Sequence, residues 1–369
     1  MNPVPGASAW RSALERLNEN PPVIADEERF PVAAIDRLRE EGLLYAPLPQ
    51  QYGGAGLGTE PGCGHDTLAF FHALGRLSLP LGRLLEAHVN AIRIVIRYGS
   101  AAQAAALAER VAGGALLGLW VTDPPGDDGL ILERAGRRLF LSGRKMFCSG
   151  AGQVQGAVVT ALDRASGDRH LLLLILDGSE EVTPLPAGLT GMRAAVTGQV
   201  SLQQRVVPED SLIGDAGDYL KEPDFSGGAW RSSAVALGGL WRLCELTGGA
   251  LRARGRDGDP HQRARFAQIV MAHESGLLWL DHAGTMAEDL EAPMERIVAT
   301  VGLARLAVER ACLESLALAH RSLGLPAFLA GSPVERLTRD LQTYLRQPAA
   351  DEVLDGAAAF FLAHPVPRP

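Results

Sequence analysis

Ser142-Gly143-Arg144-Lys145-Met146-Phe147-Cys148-Ser149-Gly150 is a short run between two glycines, with an apolar triplet at its centre. It is too short for a globular helix, and no helical pattern follows it, so it reads as a strand. The chain has two lysines, Lys145 and Lys221, so nearly all of its positive charge is arginine and Lys145 stands against that bias.

The neighbouring sequence has the same character. Apolar runs at 116–122, 130–133, 138–142, 154–162, 170–176, 181–186 and 197–206 alternate with Gly, Asp and Pro. Many short strands with regular turn signals predict a small antiparallel barrel or sandwich. Asp123-Pro124-Pro125-Gly126-Asp127-Asp128-Gly129 supplies one rigid turn.

Beyond the strands on both sides the period becomes helical. Phe30, Ala33, Ala34, Ile35 and Leu38 recur at helical spacing, and Gly42 follows as a C-cap. Helical patterns return at 65–78, 80–98 and 101–112, and again at 227–254, 261–290, 293–323, 333–346 and 350–363. The tail from His364 onward is expected to fray. The predicted architecture is multidomain α+β: an N-terminal helical domain (1–115), a middle antiparallel β-barrel (116–215) and a C-terminal helical bundle (216–369).

The bulk numbers narrow the function. The chain has 369 residues, a net charge of -8 and a sequence pI near 5.6. An acidic chain does not suit an obligate nucleic-acid or anionic-membrane partner. Apolar runs such as 171–176 are far too short to span a bilayer. Cys63, Cys148, Cys244 and Cys312 form no C-x-x-C pair, and the nine histidines show no metal-site spacing, so no zinc site or disulfide framework is expected. The start, MNPVPGASAWRS, lacks the form of a signal peptide, which points to the cytoplasm.

Five ordered stretches then share one resemblance. They are Leu38-Arg-Glu-Glu-Gly42-Leu43 with Pro49-Gln-Gln-Tyr52-Gly53-Gly54-Ala-Gly56; Trp120-Val121-Thr122-Asp123-Pro124; the run 142–150; Trp230-Arg231 with its long Ala/Gly-rich helix; and Pro333-Val-Glu335-Arg336 through Arg339-Asp340. In this order they resemble the acyl-CoA dehydrogenase family of flavoproteins. For the glycine-rich stretch at 53–56, a turn packing one helix on another is favoured over a nucleotide loop, because no strand precedes it.

The resemblance implies an FAD cofactor. Thr122 would meet the pyrimidine side of the flavin, Phe147 would stack beside its ring, and Ser149 would offer a hydroxyl to its reactive nitrogen. Arg231 would lie near a substrate such as a CoA thioester. From the residue itself, a surface arginine at a helix end stays equally open. Arg339 and Asp340 would tie helix ends together.

The chain departs from the family at the general base. The two positions where the family carries a catalytic Glu hold Pro348 and Trp230. Asp351 and Glu352 are the nearest substitutes in sequence. The family's Leu-Gly-Gly-x-Gly loop, which lets backbone approach the cofactor pyrophosphate, is Leu323-Gly324-Leu325-Pro326-Ala327 here, and no Phe-Gly pair follows Arg254. Three functions follow as expectations. The first is an FAD-dependent oxidoreductase acting on an acyl thioester or similar small molecule. The second is a flavin-dependent monooxygenase of the same fold, which needs no carboxylate base. The third is a non-catalytic subunit paired with an active homologue. The resemblance also implies a homodimer or homotetramer, or a hetero-oligomer with a paralogue, and leaves the electron acceptor open.

Overall fold

The computed structural model describes residues 9–19, 28–289 and 291–364. Residues 1–8, where no signal peptide is expected, and the tail 365–369, expected to fray, lie outside them. Helices α1 (Ala9–Glu19), α2 (Val32–Glu40), α3 (Gly64–Leu77), α4 (Leu79–Tyr98) and α5 (Ala101–Ala112) come first. Strands follow: β1 (Leu117–Trp120), β2 (Ile131–Ala135), β3 (Arg138–Ser142), β4 (Arg144–Cys148), β5 (Gly156–Asp163), β6 (Arg169–Ile175), β7 (Glu181–Pro184), β8 (Gly198–Ser201), β9 (Arg205–Pro208) and β10 (Leu212–Ile213). Helices α6 (Trp230–Ala253), α7 (Pro260–Glu288), α8 (Met294–Leu323), α9 (Pro333–Tyr344) and α10 (Ala350–Ala363) complete the chain. This is the helical, β, helical order expected from the sequence.

By packing, the chain divides into two compact units. The first comprises Met1–Cys63, Arg83–Leu189 and Arg193–Lys221; the second comprises Gly64–Gly82, Thr190–Met192 and Glu222–Pro369.

In the first unit, seven strands form one sheet in the order β10-β6-β5-β2-β3-β9, with β1 beside β5, and three form a second in the order β4-β8-β7. The pairing is not wholly antiparallel: β1 and β2 each run parallel to β5. Long excursions separate these partners, and a parallel pair requires such a crossover where an antiparallel pair needs only a tight turn. The apolar residues of α4 and α5 have their core here. Ala91, Ile92, Val95, Leu107 and Val111 pack with Leu117, Val158, Leu171 and Ile213. A capping box starts α5, in which Ser100 and Gln103 exchange side-chain and backbone hydrogen bonds. The glycine-rich stretch after Pro49 is a turn: Ala55 N donates to Ala46 O, Gly56 N to Leu48 O, and a Cβ at Gly54 would overlap the Leu48 carbonyl.

In the second unit, α3 crosses α6 at close range. A Cβ on Gly75 would strike the Val235 carbonyl, and one on Gly238 the His72 carbonyl, so glycine is what permits the approach. Asp340 accepts a hydrogen bond from Met192 N at 2.5 Å, and Arg339 Nη1 donates to Thr190 O at 3.0 Å. These two residues hold a loop segment, 190–192, rather than a second helix end.

Candidate functional site

Strand β4 pairs with β8 in regular register at Arg144↔Ser201 and Lys145↔Val200, then slips before Cys148↔Gly198. The slip is a β-bulge, and Phe147 occupies it with φ 54°. An aromatic residue in the left-handed region costs on the order of 1–3 kcal/mol. The bulge turns the ring outward, leaving Phe147 46% exposed between buried Lys145 and buried Cys148.

Thr122 is placed beside this bulge. Met146 N donates to Thr122 O at 2.9 Å, and the two residues form an isolated bridge. The Thr122 side chain is exposed. Past the bulge, Ser149 is buried, and its carbonyl accepts from Trp120 Nε1 at 3.0 Å. Its hydroxyl lies 3.5 Å from Thr197 Oγ1 and accepts from Arg83 Nε at 3.4 Å. Both distances are long, so the protein holds this hydroxyl loosely. Thr122 therefore lies across from the residue before Phe147, and Ser149 follows two residues after it. An exposed aromatic face with hydroxyl residues close by in the backbone suits a planar, hydrogen-bonding heterocycle.

Lys145 forms the support behind this edge. It is fully buried, and its Nζ donates to Asp123 Oδ1 (2.6 Å), Thr160 Oγ1 (2.9 Å) and Val121 O (3.3 Å). Arg169 Nη1 holds the other Asp123 oxygen at 2.6 Å. Burial alone would raise the Asp123 carboxyl, but Lys145, Arg169 and the Leu130 N–H outweigh it and hold the group below the ordinary carboxylate range. Burial pulls the Lys145 ammonium down, with Asp123 opposing. Thr122 is thus fixed by clamped neighbours on both sides. The only sequence signal for this role was that Lys145 is one of two lysines.

The other expected site residues belong to the second unit. Arg231 is 6% exposed in the first turn of α6, with its guanidinium folded against Gly228, so the surface-arginine reading is ruled out. Asp351 and Glu352 are exposed in the first turn of α10, where acids commonly complement a helix N-terminus. Trp230 is core, and Pro348 lends its carbonyl to Arg305 Nη2 at 2.7 Å. Gly324 has φ 67°, and Leu325 beside it is exposed. Burial pushes the Cys148 thiol up to about 12 and the Cys244 thiol up to about 11, which leaves both poor nucleophiles. Among the described residues, no group of three or more His, Cys, Asp and Glu is placed to hold a metal ion, and no helix is long and apolar enough to cross a membrane.

Comparison with known proteins gives the class. The family model described as acyl-CoA dehydrogenase, N-terminal domain, matches residues 8–115. The mitochondrial short-chain specific acyl-CoA dehydrogenase of Bos taurus is 25% identical over 342 residues, covering 85% of this chain and 78% of the relative. Two solved structures share the fold. Butyryl-CoA dehydrogenase from Megasphaera elsdenii has a TM-score of 0.84 at 18% identity, covering 96% of this chain and 98% of its own. The dibenzothiophene monooxygenase of Paenibacillus sp. A11-2 has a TM-score of 0.83 at 18% identity, covering 98% of each. At such identities the two structures speak for the fold alone. The family model's match to residues 8–115 and a relative that runs most of the chain's length support an acyl-CoA dehydrogenase family member.

Proposed function

We propose that the protein is a flavin-dependent oxidoreductase of the acyl-CoA dehydrogenase type, with FAD as its cofactor. The observation that carries this is the Phe147 bulge, an exposed ring held in a costly conformation with Thr122 and Ser149 close by in the backbone. Strain of this kind, backed by a buried clamp, fits a functional site better than a structural one. A bound flavin supplies hydride or oxygen chemistry. The chain supplies an apolar wall at Phe147 that excludes water, a hydroxyl donor at Ser149 and a polar contact at Thr122. Arg231 is the candidate for orienting a substrate carbonyl or phosphate, and a CoA thioester is the leading substrate class. Asp351 and Glu352 remain the candidates for the base that dehydrogenation requires.

The occupants of the two family base positions favour a second reading within flavin chemistry. Trp230 is packed in the core and Pro348 carries no acid. A monooxygenase needs no carboxylate there, and the Paenibacillus monooxygenase of this fold has been solved with FMN bound. Met271, Leu278 and Trp279 expose apolar surface along α7, which supports a homo-oligomer, placed here in the cytoplasm.

The visible absorption spectrum of purified protein, before and after incubation with excess FAD or FMN, tests the flavin reading. Oxidised-flavin bands that survive gel filtration are expected. Protein that stays colourless with both cofactors overturns it. Given bands, NADH-dependent oxygen uptake with a partner reductase separates the monooxygenase from the dehydrogenase.

A further inference from the structure

Helix α4 is apolar along most of its length, with Leu84, Leu85, Ala87, Val89 and Ala91 buried. Glu86 lies among them, 5% exposed. A lone carboxylate in that position would cost several kcal/mol, at least about 3. Two groups of the same helix compensate it: Arg83 Nη1 donates to Glu86 Oε2, and Asn90 Nδ2 donates to Glu86 Oε1. Arg83 also reaches the Ser149 hydroxyl through Nε at 3.4 Å, and that hydroxyl is 3.5 Å from Thr197 Oγ1. Tyr219 is near enough to feel both charges. Burial, with Glu86 adding and Arg83 opposing, pushes its phenol up to about 12, so it remains a neutral O–H.

Fold stability does not account for this cluster. A buried ion pair replaced by apolar residues of similar volume is commonly neutral or stabilising, and a leucine at position 86 would continue the helix face. The cluster also reaches a functional atom, the Ser149 hydroxyl at the end of the flavin strand, through contacts long enough to admit a better partner.

We propose that Arg83, Glu86, Ser149 and Thr197 form a polar recognition subsite that selects a short substrate with a hydroxyl or oxo group near the reacting carbon and rejects a plain alkyl chain. The proposal rests on reading β4 as the flavin strand. The Arg83–Glu86 pair is neutral in sum, so it rewards a neutral hydrogen-bonding group over a free anion. An unsubstituted methylene chain placed against the loosely held Ser149 hydroxyl would return no hydrogen bond. Sites built to bond a substrate hydroxyl reject the analogue lacking it far more strongly than apolar pockets sort alkyl lengths.

Calorimetric titration of the reconstituted holoenzyme with 3-hydroxybutyryl-CoA and with butyryl-CoA tests this. The hydroxylated probe is expected to bind at least about tenfold tighter. The R83M/E86L variant, checked for folding by circular dichroism, should lose that preference. Should it fail to fold, E86Q serves instead: with Arg83 no longer neutralised, affinity for succinyl-CoA should rise about tenfold relative to 3-hydroxybutyryl-CoA. Equal binding of the two first probes, binding of neither, or a preference that survives both variants overturns the subsite. Calorimetry registers thioester binding whether or not flavin is present, so protein that takes up no flavin overturns the flavin reading while still reporting on the subsite.

Discussion

Each unit buries polar side chains, and the Lys145 network of the first and the His72–His273 pair of the second do so in opposite ways. In the first, Lys145 stays an ammonium because Asp123 is 2.6 Å away, with Arg169 and Thr160 completing the network. In the second, His72 and His273 meet Nε2 to Nε2 at 2.9 Å, so one ring donates and the other accepts. Burial, then His273, then Arg76 hold His72 down to about 4, with Glu245 opposing. Burial lowers His273 as well, against Glu274, and the Trp241 ring lies 4.6 Å from it. A buried charge needs a counter-charge, whereas a buried imidazole can shed its proton. The Lys145 network therefore depends on complete ion pairs, and the His72–His273 pair on pH.

Replacing Lys145 tests the ion-pair half of the contrast and should have the largest effect. K145M leaves Asp123 partly buried beside one cation, and removing one member of a buried pair typically costs about 3–5 kcal/mol. Urea unfolding should show a loss of that order. The Thr122 edge should loosen with it, so flavin retention should fall more than tenfold. A loss below about 1 kcal/mol would mean that the network adds little beyond a surface salt bridge.

The next effect belongs to the second unit. A methyl at Gly238 would overlap the His72 carbonyl and force α3 away from α6. G238A should cost about 2 kcal/mol, within the usual range for overpacking. It should also separate His72 from His273, leaving a weaker acid dependence than the parent's. Both follow from chemical denaturation at two pH values.

The pH dependence has a definite sign. His72 and the fully buried His88 are each held down to about 4 in the folded protein, against an ordinary value of 6.5. His88 bridges Leu44 O at 2.9 Å and Leu117 N at 3.0 Å, so its tautomer is fixed and it has no room for a second proton. Unfolded imidazoles take protons first as pH falls. Their stabilisation is thus complete above pH 6.5, declines towards pH 4 and is flat below. Each contributes about 1 kcal/mol per pH unit inside that window. Thermal unfolding from pH 7 to 4.5 should show the decline, and H88Q should flatten it without abolishing it. An unchanged slope in H88Q would assign the effect elsewhere.

These cases also mark what the sequence disclosed. Element order and type were readable because they rest on local period: the alternation around 130–206 and the helical spacing of residues such as Ala34, Ile35 and Leu38. The turn after Pro49 was readable because glycine and proline act locally. The bulge at Phe147 was not, since it arises where β4 meets β8 and the register slips between partners some fifty residues apart. Glu86 was missed for a related reason. In sequence it is one acid on a helix, and only the folded chain surrounds it with apolar neighbours and brings Ser149 within reach of Arg83. Arg231 left two readings open because helix-end arginines are ordinary until burial is known.

The smallest effect is the most discriminating. Phe147 is exposed, so removing its ring leaves no core cavity, and its left-handed backbone is one that glycine adopts without strain. F147G should therefore relieve strain of about 1–3 kcal/mol while adding about 0.5–1 kcal/mol of backbone entropy in the unfolded chain. The expected net is a gain in stability of about 1 kcal/mol, with flavin affinity reduced about tenfold. A substitution that strengthens the fold and weakens the ligand would identify Phe147 as a residue kept for binding at the expense of stability. Its neighbour Lys145, two positions away on the same strand, should fail in both respects when replaced. If F147G instead destabilises the protein, the ring has a packing role, and the bulge belongs with the structural clamp behind it.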